Sequence, residues 1–121
     1  MIKHIPLALY VHIPWCERKC PYCDFNSHEN FDPSLENPYV DALLNDLDQQ
    51  LGWAEGRELV SIFFGGGTPS LFSGDAIQRI LEGIQQRLRL AEYCEITLES
   101  NPGSAEARKY DAYRYAGVNR L

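Results

Sequence analysis

No stretch of this sequence approaches the roughly 20 consecutive apolar residues that a membrane span requires. The apolar run nearest the N-terminus, LALYVHI, is stopped by Pro14. The opening MIKHIPLALYVHIPW also has no small-residue cleavage site, so no secretory signal is read from it. Positive charge is in short supply, with 11 Lys and Arg against 17 Asp and Glu and a net charge of −6. Without a basic patch to meet phosphates, nucleic acid is not an expected partner. The signature of disorder is missing too, because 45% of the residues are hydrophobic and 12% aromatic, an ordinary globular mix. A GGG run is present, but the G-x4-G-K-[S/T] pattern of a P-loop is not. The lack of a leader implies a cytoplasmic protein with reduced thiols. Clustered cysteines in that compartment mean metal or catalysis more often than disulfides.

At 121 residues the chain is one domain at most, and long enough to bury a core. Leu7 to Ile13 has the β-branched and aromatic content of a strand. From Pro38 the period changes. Tyr39, Leu43, Leu44, Leu47 and Leu51 recur at helical spacing, with Asn37 as N-cap, Pro38 at the first helical position and Gly52 as the stop. LVSIFF, Leu59 to Phe64, reads as a second strand running into GGGTP. Ser73 caps a helix whose apolar face is Ile77, Ile80, Leu81, Ile84 and Leu88. CEITLES, Cys94 to Ser100, reads as a third strand, and Ser104 to Ala116 as a helix ending at Gly117. VNRL then resembles the start of a fourth strand. The order strand, loop, helix, three times over, predicts an α/β fold with a parallel sheet. The nearly continuous apolar strands predict that both sheet faces are covered. Three units do not close a barrel, so the chain is either a small open sheet or the opening part of a (β/α) barrel. All the unusual residues fall at the C-terminal ends of the strands, where parallel α/β folds bind ligands.

Cys16, Cys20 and Cys23 form C-x3-C-x2-C, three thiols within eight residues, while Cys94 stands alone. Three thiolates on one loop can converge on a single centre. A structural zinc would need a fourth ligand, which His12, His28 or Cys94 would have to supply, making the chain a small zinc-binding interaction domain. A four-iron cube would leave one iron open to a small molecule. Cys94 begins a strand and reads as a small buried hydrophobe. GGGTP lets the backbone approach a ligand closely, although a plain tight turn explains it equally. Tyr10 and His12 lie two apart on one strand and so share a face. His12 reads as well as a core histidine as it does a ligand.

YVHIPWCERKCPYCDF resembles the signature of the radical S-adenosylmethionine (SAM) enzymes, and FFGGGTPS and ITLESNP follow in family order and spacing. The Y-x-H-I-P-aromatic-C start is similar to the oxygen-independent coproporphyrinogen III oxidase family. The resemblance spans essentially the whole chain. It implies the first three βα units of a partial, TIM-like radical SAM barrel. It further implies that Cys16, Cys20 and Cys23 hold a [4Fe-4S] cluster and that SAM binds its fourth iron. One electron then cleaves the sulfonium carbon–sulfur bond, giving methionine and a 5′-deoxyadenosyl radical. Carried over by motif, Tyr22 lies against the SAM adenine, Gly66, Gly67 and Thr68 line the methionyl end, and Glu99 meets the amino group or ribose. Tyr10 stands near the sulfonium or substrate and is the one candidate for a catalytic role.

Within that family, oxidases carry a further cysteine two residues after the third ligand, where this chain has Phe25, and they have a longer segment before the first strand. Both departures resemble the HemW branch, regarded as haem chaperones. The partners implied are SAM, haem in the full-length protein, a haem-acceptor protein and an electron donor. The alternative within the family is porphyrinogen decarboxylation in porphyrin biosynthesis. Because family members run to several hundred residues, residues 1–121 are expected to be the N-terminal part of the radical SAM core domain.

Overall fold

A computed structural model describes residues 5–15, 33–67, 72–99 and 109–121. Cys16, Cys20, Tyr22, Cys23, Phe25, His28 and Thr68 lie outside the described residues, as does the predicted helix up to residue 108. Strands and helices alternate: β1 (Leu7–Ile13), α1 (Glu36–Gln50), β2 (Leu59–Gly66), α2 (Gly74–Arg87), β3 (Leu90–Leu98) and α3 (Tyr110–Ala116). The three strands form one parallel sheet in the order β1-β2-β3. After α3 the chain returns to the free edge of β3. There the Asn119 and Arg120 amides donate to the Ile96 carbonyl at 2.9 and 3.1 Å, and the Leu98 amide donates to the Arg120 carbonyl at 3.0 Å. The Asn119 side chain adds two bonds, accepting from the Ile96 amide and donating to the Cys94 carbonyl. The expected beginning of a fourth strand is therefore paired in parallel, with Arg120 opposite Thr97.

The helices pack on one face of the sheet, α1 against α2 and α2 against α3. Alternation along the strands sends Val11, Ile13, Ile62, Phe64, Ile96 and Leu98 into that layer. They meet Val40 and Leu47 of α1, Ile77, Ile80, Leu81 and Ile84 of α2, and Tyr113 of α3. Each such side chain contributes about 1.5–3 kcal/mol on burial. Coverage of both faces is not found among the described residues. On the second face Tyr10 is 56% and Phe63 40% exposed. Hydrophobicity alone does not say which face a helix will cover; the register does.

Several boundaries move for physical reasons. Helix α1 starts at Glu36, after a 3-10 turn at Pro33–Leu35, not at Pro38, and the residue before it makes no side-chain cap. Asn37 lies within the helix, and its Oδ1 accepts from Arg79 of α2 at 2.7 Å. Pro38 is still tolerated, because first-turn amides have no intrahelical partner. Gly52 does not stop the chain, which continues in a 3-10 turn through Leu51–Ala54. The reversal comes at Glu55 and Gly56, with φ of 50° and 78°. Arg57 closes it by donating to the carbonyls of Ala54, Trp53 and Ile5. Ser73 caps α2 as predicted, its Oγ accepting from the Ala76 amide at 3.1 Å. Strand β3 begins at Leu90 rather than Cys94, because Leu90 already pairs with Leu59.

Candidate functional site

The open face of the sheet is built by the residues that alternate away from the helices. Register places Tyr10, Phe63 and Thr97 in one row across the three strands, and His12 opposite Gly65 in the next row toward the C-terminal edge. Glu99 directly follows β3, held there by its amide donating to the Phe64 carbonyl at 3.0 Å. Two residues beyond Thr97, it belongs to the same face. The sequence placed Tyr10, Gly66, Gly67 and Glu99 in one site, and the sheet brings all four to this edge. Cys94 goes the other way, into the helix layer with Ile96 and Leu98, and stands apart from the site.

Tyr10 and Phe63 stack with ring centroids 6.1 Å apart at 15°. The Tyr10 hydroxyl lies 3.1 Å from His12 Nδ1. When the phenol donates to Nδ1, the ring proton sits on Nε2. That Nε2 is buried and has no partner among the described residues. A buried polar atom without a partner is costly and points to a group that completes it. Burial and the nearby Glu99 carboxylate push the Tyr10 phenol above its ordinary value, so it stays a neutral hydrogen-bonding group.

The glycines keep this face clear. A Cβ on Gly65 would lie 2.7 Å from the Phe63 ring and 2.9 Å from the Tyr10 ring. Gly66 has φ +116°, and a Cβ there would lie 2.6 Å from the Ile13 carbonyl oxygen and 2.9 Å from the His12 ring. Only glycine combines that backbone with that space. The Gly67 amide donates to the Ile13 carbonyl at 2.8 Å, joining the glycine turn to the end of β1.

Sequence reasoning left out Phe63, Gly65 and Tyr39. Its spacing places Tyr39 in the α1 apolar stripe, yet its hydroxyl donates to the His12 backbone carbonyl at 2.5 Å. A tyrosine heading such a stripe was the available signal, because a buried phenol needs a partner. Phe63 and Gly65 become visible only through the register that sets them beside Tyr10 and His12.

An unpartnered imidazole nitrogen, a side-chain-free glycine turn and a carboxylate at one sheet edge suit a ligand with a cationic group and polar atoms. Glu99 suits the cationic sulfonium and amino groups of SAM, and the protonated Nε2 and the bare glycine backbone suit its polar atoms. Comparisons with known proteins give the family. Residues 10–121 match the profile of the Radical SAM superfamily. The chain is 55% identical over 121 residues to heme chaperone HemW of Escherichia coli (strain K12), covering 100% of this chain and 32% of that protein. It is 41% identical over 115 residues to the mitochondrial radical S-adenosyl methionine domain-containing protein 1 of Mus musculus, covering 94% of this chain and 26% of that protein. The solved structure of coproporphyrinogen III oxidase (HemN) from Escherichia coli, a radical SAM enzyme, matches with a TM-score of 0.84 at 31% identity. That match covers 96% of this chain and 27% of the oxidase. The chain thus spans about a third or less of the length of these relatives. With that profile matching residues 10–121 and a parallel α/β sheet beneath it, the chain belongs to the radical SAM superfamily.

Proposed function

We propose that residues 1–121 are the cofactor-holding N-terminal part of a HemW-like radical SAM core, in a cytoplasmic protein that binds haem and passes it to an acceptor protein. The observation that carries this reading is the 55% identity to a heme chaperone HemW along all 121 residues, against 31% to the oxidase HemN. Phe25, where the oxidases carry a cysteine, supports it from the sequence.

In this reading Cys16, Cys20 and Cys23 hold a [4Fe-4S] cluster, and Tyr10, Tyr22, Gly66, Gly67, Thr68 and Glu99 hold SAM. Cluster and SAM together supply one-electron reductive cleavage of a carbon–sulfur bond, with electrons from a donor protein. The chain's own residues bind, orient and exclude water. Glu99 offers a carboxylate to cationic atoms at the end of β3. Tyr10 stays protonated and fixes the His12 ring through Nδ1. Gly65 and Gly66 let the backbone come close, and the Phe63 ring closes the floor of the site.

Anaerobic iron–sulfur reconstitution of the full-length protein, followed by metal analysis and electron paramagnetic resonance (EPR), tests the site. The expected result is about four irons per chain and a reduced-cluster spectrum that changes on adding SAM. Zinc without a cluster signal would replace this reading with the zinc-domain one. Haem binding and transfer to an apo-haemoprotein test the chaperone role. The oxidase structural match favours one rival, oxidative decarboxylation of coproporphyrinogen III. Product formed from that substrate with SAM and reductant would remove the chaperone-only reading.

A further inference from the structure

The last carbonyls of β1 are claimed by two different segments. That of Ile13 accepts from Gly67 in the glycine turn, and that of His12 accepts from Tyr39 of α1. Strand β1 is an outer strand of the sheet, so the Tyr39 hydroxyl takes an acceptor that no neighbouring strand among the described residues reaches. The Tyr39 ring meets Trp15 edge-on, with centroids 4.9 Å apart, and Phe72 edge-on at 6.0 Å. Trp15 and Phe72 meet at 5.8 Å. Phe72 is fully buried, and its carbonyl accepts from the Tyr113 hydroxyl of α3 at 2.6 Å. Its neighbour Ser73 is held by Glu36 of α1, whose carboxylate accepts from the Ser73 amide at 2.6 Å and hydroxyl at 2.9 Å.

Trp15 immediately precedes Cys16, and Phe72 closes the segment that follows the glycine turn. One cluster of three rings therefore anchors the start of the cysteine segment and the end of the glycine segment to the same helix. Rings of this size carry large burial energies and prefer a narrow set of mutual angles. They suit a joint that must hold one direction of the chain, because displacing a site by about 1 Å is enough to cost much of its function.

We propose that Tyr39 is a positioning residue: through its hydroxyl on the His12 carbonyl and its ring against both Trp15 and Phe72, it fixes the cysteine segment relative to the glycine turn, so that cluster and SAM sites form in register. This rests on the reading that the cysteines hold a cluster that binds SAM. Tyr39 touches neither group and acts through the backbone at His12 and the ring of Trp15.

The test uses the full-length protein and four variants: Tyr39→Phe, Trp15→Ala, Trp15→Phe and Ile84→Val. Ile84 is buried in α2 and belongs to neither the ring cluster nor the open face. Melting temperature, iron content and the SAM-dependent change in the reduced-cluster EPR signal are measured for each. Tyr39→Phe and Trp15→Ala are expected to stay folded and to need about tenfold more SAM for the spectral change, the scale of one lost hydrogen bond or packing contact in a positioning element. Trp15→Phe keeps a ring and is expected to stay near the unmodified protein, as is Ile84→Val at a comparable melting temperature. Should Tyr39→Phe bind SAM as Ile84→Val does, the tyrosine merely stabilises the fold and the inference is overturned. If Tyr39→Phe fails to fold, Trp15→Ala against Trp15→Phe decides by the same readout. An unmodified protein that takes up no cluster would bring down the proposed function itself, and this inference with it.

Discussion

The phenol oxygen of Tyr10 stands 3.1 Å from Nδ1 of His12, two residues along the same strand. Neither side chain belongs to the core that the helix layer buries. Their common face is set by strand alternation, and their contact by the Phe63 ring beneath Tyr10 and the bare backbone of Gly65 and Gly66.

That support predicts how the glycine turn responds to substitution. Gly65→Ala would place a methyl group against the ends of the Phe63 and Tyr10 rings and should cost about 1–3 kcal/mol in urea denaturation, the usual range for overpacking. Adding Phe63→Leu should recover part of it, since the clash is with a movable ring. At Gly66 the neighbour is the fixed carbonyl of Ile13 and φ is +116°, so Gly66→Ala should not be recovered by any side-chain change nearby. Equal recovery at both positions would contradict this account.

Stability should fall in alkali. Burial raises the Tyr10 and Tyr39 phenols and the Cys94 thiol above their ordinary values, with Glu99, Tyr10 and Glu95 respectively adding to the shift. A raised folded-state pKa means that the unfolded chain loses its proton first. These groups therefore contribute stability below the ordinary thiol and phenol range, and it is lost as pH rises through and above that range. Melting temperatures should decline from about pH 9 upward, and Tyr39→Phe should flatten part of that slope. A flat profile to about pH 11 would refute the assignment.

Ser73 and Glu36 form one unit, and their variants should not add. Ser73→Ala removes the α2 cap and one of the two bonds to Glu36, for about 1–2 kcal/mol. Glu36→Gln keeps the shape but withdraws a negative charge from the α2 N-terminus, for about 0.3–1 kcal/mol. A double-mutant cycle should show coupling of about 0.5 kcal/mol or more, as for groups sharing a network. Simple additivity would mean that the two act separately.

Cys94→Ala should leave cofactor loading untouched. The thiol is buried among Ile96, Leu98 and the helix layer, so the change should cost about 1 kcal/mol of packing. Iron content after reconstitution should equal that of the unmodified protein, whereas Cys16→Ser, Cys20→Ser or Cys23→Ser should lower it. Iron lost on removing Cys94 would reopen its role as a ligand.

Much of this molecule was legible before folding was considered. β1 runs from Leu7 to Ile13 as its composition predicts, and Ser73 caps α2. The α2 stripe faces the core, with Ile77, Ile80, Leu81 and Ile84 buried. These features rest on local physics: period, capping chemistry and β-branched content act within a few residues of themselves. The cysteine spacing and the glycine run are local too, and with their flanking motifs they carry the resemblance to the radical SAM superfamily.

What only tertiary structure decided depends on partners far apart in the sequence. The carboxylate of Glu36, in the first turn of α1, finds its partner in Ser73 at the start of α2. The early start of β3 follows the pairing of Leu90 with Leu59. Which sheet face stays open, the meeting of Tyr10, Phe63 and Gly65, and the joining of Tyr39 to His12 all follow from register between strands and helices. No periodicity within one segment can encode a register between two, because that is set by the packing of whole elements against a shared core.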